Sequence, residues 1–291
     1  MTPKPSFSIV GCGRVGTTLA RILAAKGYPV AGLASRSLSS AEAAAGLLRT
    51  DRVMRWPWEA TPGADVVLIT TPDDTIEPVC RSLADHRGFR KGAVVLHCSG
   101  VLSSAVLSSA HACGAHVGSM HPLQSIASKQ EDPGIFQGIL VSVEGDEEAK
   151  EMARRLAQDL GAHCAEVRSD AKTLYHAAAV VASNYLVTLV DLALALNATA
   201  GIAPQESVRG LMPLIQGTLR NIESQGIPNA LTGPIARGDV QTVRKHLHEI
   251  GARCPDLLIL YRTLGAHTVR LARAKESLTG EAAEALDTLL Q

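Results

Sequence analysis

Charge of one sign is what this chain most plainly lacks. Its 28 Lys and Arg residues are matched by 28 Asp and Glu, for a net charge of zero over 291 residues. Without a basic tail or a dense Lys/Arg block, neither nucleic acid nor an anionic membrane surface is an expected partner. Paired cysteines are missing too. Cys12, Cys80, Cys98, Cys113, Cys164 and Cys254 form no CxxC, so reduced thiols are expected. The opening "MTPKPSFSIVGCG" has no long apolar region of the signal-peptide kind, which points to a cytoplasmic protein. "HACGAH" places His111, Cys113 and His116 at a spacing too compressed for a metal centre, with no second ligand group, and no metal is expected. Internal repeats and low-complexity tracts are also absent. What remains is 46% hydrophobic, enough for a substantial core and best divided into two domains.

The first half alternates short β-favouring runs with helical segments. "FSIVG", "PVAGLAS", "DVVLITTP", "AVVLHCSG", "AHVGSMHP" and "GILVSVEG" read as strands, and the stretches between them suit helical crossovers. A largely parallel sheet covered by helices is the architecture this order predicts. After "AHCAEV" the rhythm becomes helical, beginning with the long run "DAKTLYHAAAVVASNYLVTLVDLALALNATAG" and continuing through "APQESVRGLMPLIQGTLRNIESQG" to the carboxyl end. The expected organisation is α/β: a parallel-sheet domain over residues 1–168, then an all-helical domain over residues 169–291. The stretch from Ala177 to Ala200 approaches the length of a membrane span. Asn184 and Asp191 interrupt it and no basic flank borders it, so a buried domain helix or a dimer helix is expected instead.

"VGCGRVG" carries Gly11, Gly13 and Gly16 in the dinucleotide-binding spacing, after a strand and before a helix. The first glycine permits a tight turn, the second lets backbone approach a pyrophosphate, and the third allows close helix–sheet packing, while the helix start supplies amide donors. Gly11, Cys12, Gly13, Arg14, Val15 and Gly16 are accordingly the expected phosphate-binding turn. A fold that prefers NAD carries Asp or Glu about 20 residues later, on the ribose hydroxyls. Here "LASRS" ends in Ser35, Arg36 and Ser37 instead. A carboxylate would repel a 2′-phosphate, whereas arginine and hydroxyls receive one, so NADP(H) is the expected cofactor. Thr71 and Ser99 close the next two strands and should face the same crevice, although such hydroxyls also cap helices. Cys98 has no assignable base, and Asp73 and Asp74 read as turn and N-cap residues.

Together, "VGCGRVG", "LASRS", "LHCSG", "GSMHPLQS", "YHAAAVVASNYLVTL" and "LTGPIARGD" resemble the Rossmann-like proteins with a DUF2520 carboxyl-terminal domain. These are relatives of pyrroline-5-carboxylate reductase, prephenate dehydrogenase and the NADP oxidoreductases that use coenzyme F420. The resemblance implies a Rossmann-type domain, a nicotinamide-dependent oxidoreductase fold and a homodimer formed through the helical domain. It leaves a deazaflavin cofactor open and names no substrate. The carboxyl domain does not match the signature of pyrroline-5-carboxylate reductase, which counts against that activity.

Two stretches can support chemistry. His121 and Pro122 end a strand in a region resembling the His-Pro segment of prephenate dehydrogenases. His121 either binds an acidic substrate, moves a proton, or bonds loop backbone, with Gln124 and Ser125 extending its polar rim. In "DAKTLYHAAAVVASNYL", Lys172 and His176 share a helix face and Asn184 follows eight residues later. This resembles the Lys-x-x-x-Asn arrangement of β-hydroxyacid dehydrogenases, with His176 where asparagine would stand. Lys172 would polarise a carbonyl or neutralise a carboxylate, His176 donate a proton and Asn184 orient substrate or nicotinamide; all three also read as interface or core polar groups. In "LTGPIARGD", Asp239 is the expected N-cap of the next helix and Arg237 a carboxylate or salt-bridge partner. The function expected is hydride transfer to or from a small carbonyl, imine or hydroxy-acid substrate, an anionic one among the options. The alternative is a non-catalytic NADP(H)-binding protein that reports redox state to a partner.

Overall fold

The computed structural model describes residues 3–129 and 132–291. Among them, one seven-stranded sheet comprises β1 (Phe7–Val10), β2 (Val30–Ala34), β3 (Val66–Ile69), β4 (Val94–His97), β5 (His116–Pro122), β6 (Leu140–Gly145) and β7 (His163–Glu166). Their spatial order is β2-β1-β3-β4-β5-β6-β7. The five strands β1 to β5 pair in parallel, β6 runs antiparallel to β5 with His121 opposite Ser142, and β7 is parallel to β6. The reversal at β6 has a local cause. Among the described residues a single 3₁₀ turn, Pro133–Phe136, lies between β5 and β6, and parallel pairing needs a longer crossover.

Helices α1 (Arg14–Ala25), α2 (Leu38–Leu48), α3 (Pro57–Ala60), α4 (Asp73–Asp85), α5 (Ser108–Ala112), α6 (Glu147–Leu160) and α7 (Lys172–Ala182) accompany the sheet. The central strands are largely apolar because both faces are covered, with Ser8, His97 and Ser119 as buried polar exceptions. Ile9, Leu68 and Leu96 enter one core, while Val10, Val67, Ile69 and Val95 enter the other. The chain passes from β1 to β2 on one side and returns to β3 on the other. That reversal opens a crevice at the carboxyl ends of β1 and β3, where open α/β sheets bind ligands.

The chain divides into two compact units between Ser183 and Asn184. The long helix expected across that point is broken: Ser183, at φ −114° and ψ −66°, leaves the helical path, and α8 (Asn184–Thr199) starts anew. α7 stays with the sheet, so the division falls beyond residue 168, because buried Lys172 ties the helix to the ends of β4 and β5. The second unit adds α9 (Pro204–Gln225), α10 (Val240–Arg253), α11 (Pro255–Ala274) and α12 (Gly280–Leu290). Val243, Leu247, Val269, Leu286 and Leu290 form the core shared by α10, α11 and α12. By contrast α8 buries no residue and α9 buries only Ser207, which accepts a 2.7 Å hydrogen bond from Asn197. Within a single chain, therefore, α8 is not a buried domain helix.

Among the described residues, one helical stretch, Ser169–Thr199, has the length and mean hydropathy (1.8) of a membrane span. Its break at Ser183 and the seating of Lys172 against the sheet are features of a globular segment.

Candidate active site

The glycine-rich turn is built by contacts that leave no room for side chains at two of its three glycines. Gly11 has φ +111°, and a Cβ there would lie 2.8 Å from the Thr70 and Thr71 backbone. A Cβ on Gly16 would lie 2.3 Å from the Gly11 carbonyl and from Thr70 Oγ1, which itself donates to that carbonyl at 2.7 Å. Gly13 differs: nothing lies within 4 Å of its missing Cβ. It is the N-cap of α1, whose first turn carries no acidic residue and no side-chain cap. The amides at this helix start are therefore free for an anion.

A cleft of about 380 Å³ opens over this turn. Gly11, Cys12 and Gly13 line it after β1, Ser35, Arg36 and Ser37 after β2, and Thr70 and Thr71 after β3. The Thr71 hydroxyl is buried and without a hydrogen-bond partner. Pro57 of α3 completes one wall. It is bracketed by Trp56 and Trp58, whose rings stack at 5.1 Å, and Trp58 stacks in turn on His86 at 4.0 Å. Arg14, Val15 and Gly16 do not line the cleft; Arg14 donates to the Ala127 carbonyl at 3.4 Å.

A second polar cluster occupies the next strand ends, β4 and β5. Lys172 is 1% exposed, and its Nζ donates to Ser119 Oγ at 2.6 Å and to the Ser99 carbonyl at 3.1 Å. Burial lowers its pKa, against the opposing pull of Glu144 and, more weakly, of Cys98 and Asp73. Glu144 is held by the Ser104 amide at 2.6 Å and by the hydroxyls of Ser104 and Ser169 at 2.9 and 2.8 Å. His121 Nδ1 lies 3.0 Å from the Tyr175 hydroxyl, and its ring stands 6.1 Å from that of His176. Burial, then Lys172 and His176, bring His121 down to about 4, so it is neutral at pH 7. Gly100 lets these rings approach: a Cβ there would lie 2.6 Å from His176 Cδ2 and 2.9 Å from His121 Nε2. His121, Lys172 and His176 thus come together, whereas Asn184 opens the other unit.

Two domain families match the sequence: the Rossmann-like domain over residues 1–122 and the domain of unknown function DUF2520 over residues 139–268. The chain is a Rossmann-like/DUF2520 protein. A Thermotoga maritima protein shares its fold at a TM-score of 0.72 and 26% identity, covering 93% of this chain and 99% of the other. A candidate NADP oxidoreductase from Bacteroides fragilis gives 0.72 and 22%, covering 94% and 98%. Pyrroline carboxylate reductase of Plasmodium falciparum, with NADP bound, gives 0.57 and 11% over the whole of both chains. These likenesses establish the fold. No curated protein gives a significant sequence match.

In this DUF2520 protein several expected groups have other occupations. The Ser99 hydroxyl accepts from the amides of Val101 and Leu102, both at 3.1 Å, and so shapes the turn after β4. Burial pushes the Cys98 thiol up to about 12, which leaves it without nucleophilic thiolate at neutral pH. Gln124 donates to the Ile135 carbonyl and accepts from the Ser125 amide, so both serve their own loop. Pro72, not an aspartate, is the N-cap of α4; Asp73 and Asp74 stand in its first turn, where their charge suits the helix start. Asp239 caps α10 through the Thr242 amide at 3.0 Å. Sequence reasoning passed over Ser119, Tyr175, His97 and Glu144. Ser119 was legible, because strand residues two apart share a face and it precedes His121 by two. Nothing local marked Glu144.

His97 is fully buried and accepts the Ser99 amide at Nδ1, 3.1 Å away, so its neutral ring carries the proton on Nε2. Burial, then the Lys172 charge, lower it from 6.5 to about 4. The unfolded chain therefore takes up this proton first as pH falls. The stability contribution is complete above pH 6.5 and is lost on descent through pH 4, at ~1.4 kcal/mol per pH unit. His97→Asn, which keeps an acceptor near the Nδ1 position, should flatten urea-measured stability across that range by ~2 kcal/mol or more. An unchanged slope would place the titrating group elsewhere.

Proposed function

We propose that this protein is an NADP(H)-dependent oxidoreductase acting on a small carbonyl, imine or hydroxy-acid substrate. The observation that carries the reading is the juxtaposition, along successive strands β1 to β5, of a cleft over the glycine-rich turn with a buried Lys172–Ser119 and His121–Tyr175 cluster. The residues present fit the cofactor. Gly13 leaves open space where a pyrophosphate would approach the free amides of α1, and the Thr71 hydroxyl is an unmatched polar group in the wall. Arg36 with Ser35 and Ser37 suits a 2′-phosphate. When bound, NADP(H) supplies or accepts the hydride.

The chain's own groups divide the remaining work. Lys172 places positive charge at a desolvated point, where it stabilises charge developing on a substrate oxygen or nitrogen. Its Nζ donates to the Ser119 hydroxyl, which is itself fully buried. His121, neutral at pH 7, shares one proton with the Tyr175 hydroxyl and presents Nε2 beside Gly100. His176 crowds the same point from α7.

Titration with NADPH and NADH, repeated on Arg36→Ala, tests the cofactor assignment. The variant should lose ~10-fold or more in NADPH affinity with little change for NADH, the worth of one charge-assisted contact. Unchanged discrimination would refute the role of Arg36. Metabolite profiling with the intact protein and NADPH then searches for the substrate, and a protein that binds NADPH but turns over nothing counts against catalysis.

The second unit supports homodimerisation. Val187 (70% exposed) on α8 and Leu214 (66%) on α9 belong to apolar faces that one chain leaves open to water. Val187→Asp with Leu214→Asp should convert a dimer to a monomer in sedimentation equilibrium. A wild-type monomer at micromolar concentration would remove this part of the reading.

A further inference from the structure

We infer that Lys129 is a second cation for the 2′-phosphate of the nucleotide, reaching the cleft from the loop that follows the His121 strand. The inference rests on the NADP(H) reading and names a residue outside the glycine-rich turn and the "LASRS" loop. Among the described residues, Arg36 and Lys129 are the charged side chains lining the cleft, and no Asp or Glu accompanies them. A phosphate monoester carries close to two negative charges at neutral pH, with its second pKa at ~6. Arg36 balances one. The pyrophosphate has its own donors in the uncapped amides of α1, so the unbalanced charge lies at the ribose end.

The loop is fixed where this role requires it. Beyond Pro122, the Leu123 amide bonds the Leu140 carbonyl at 2.8 Å, Ile126 packs against the sheet core, and Arg14 holds the Ala127 carbonyl. Two residues on, Lys129 is half-buried in the cleft wall. Its charge is felt at Cys12, where it opposes the burial that raises the thiol to about 11. The Cys12 thiol in turn points to the Ala34 carbonyl at the end of β2, next to Ser35 and Arg36. Lys129 therefore shares one cleft with Ser35, Arg36 and Ser37. One segment, Pro122 to Lys129, thus links the His121 cluster to the phosphate end of the nucleotide.

The test is direct titration of wild type, Lys129→Ala, Lys129→Arg and Arg36→Ala with NADPH and NADH, followed by fluorescence or calorimetry, with thermal melts to confirm folding. Lys129→Ala should weaken NADPH ~10-fold and NADH by less than ~2-fold, and Lys129→Arg should retain most NADPH affinity. The NADPH affinity of Lys129→Ala should also fall less steeply with added salt than that of wild type. Equal losses for both nucleotides would move Lys129 to the pyrophosphate and overturn the assignment, as would no loss for either. A wild type that does not prefer NADPH would overturn the NADP(H) reading itself, and that outcome is read from the unmutated protein alone.

Discussion

Lys172→Met is expected to keep its fold and its NADPH affinity within ~3-fold while turnover of the substrate found by profiling falls ~100-fold or more. Methionine matches the length and flexibility of the lysine stem, so the packing against β4 and β5 survives. What disappears is the charge. Burial lowers the Lys172 pKa from its ordinary 10.5, which means that the folded protein bears a cost for holding a proton on this amine. That cost is relieved as pH rises through the folded pKa toward 10.5, because the unfolded chain keeps its proton longer. Wild-type stability should therefore climb between the folded and the unfolded pKa, and Lys172→Met should lack the climb. A lysine kept only for structure predicts the opposite pattern, with stability lost at pH 7 and turnover preserved. Urea titrations at pH 7 and above, paired with steady-state kinetics, separate the two.

The glycines of the nucleotide turn should answer alanine substitution in different ways, and the contrast identifies which of them faces ligand. In Gly16→Ala the new Cβ meets the Gly11 carbonyl and Thr70 Oγ1 at 2.3 Å, with Ile9 Cγ2 at 3.1 Å. Two of these neighbours are fixed by backbone and by the Thr70 hydrogen bond, so α1 must move away from β1. A loss of ~1–3 kcal/mol is expected from overpacking of this kind, together with loss of nucleotide binding. Gly13→Ala meets nothing within 4 Å and should melt at the wild-type temperature. Its Cβ nevertheless fills the space through which a pyrophosphate would reach the helix amides, and NADPH affinity should fall ~10-fold or more. If Gly13→Ala binds NADPH normally, the cofactor does not approach this turn.

The contrast also shows where sequence reasoning reached and where it stopped. The strands "FSIVG", "DVVLITTP" and "AVVLHCSG" were legible because a parallel strand buried on both faces reads as a near-continuous apolar run. The turn was legible because its glycines answer local geometry. The reversal of β6 was not, since its cause is the shortness of a connection and the pairing is long-range. The break at Ser183 was also hidden: the run through "VVASNYL" keeps its apolar pattern across the point where the helix ends. Lys172 and His176 were found by helical spacing, but their setting was not. Ser119 and Gly100 converge on them from two separate segments, β5 and the turn after β4, and no spacing rule spans such distances. Lys129 had no signature beyond its charge.

The stack around Pro57 has an optical consequence. The chain's two tryptophans flank a single proline in the cleft wall, with their rings face to face. Reduced nicotinamide absorbs light in the band where indole emits. Occupancy of the cleft by NADPH would therefore dim the ultraviolet emission of Trp56 and Trp58 and brighten the visible emission of the nicotinamide, while NADP⁺ would leave the second colour dark. With NADP(H) bound as proposed, the protein would carry its own two-colour indicator of the redox form, without a dye or a label.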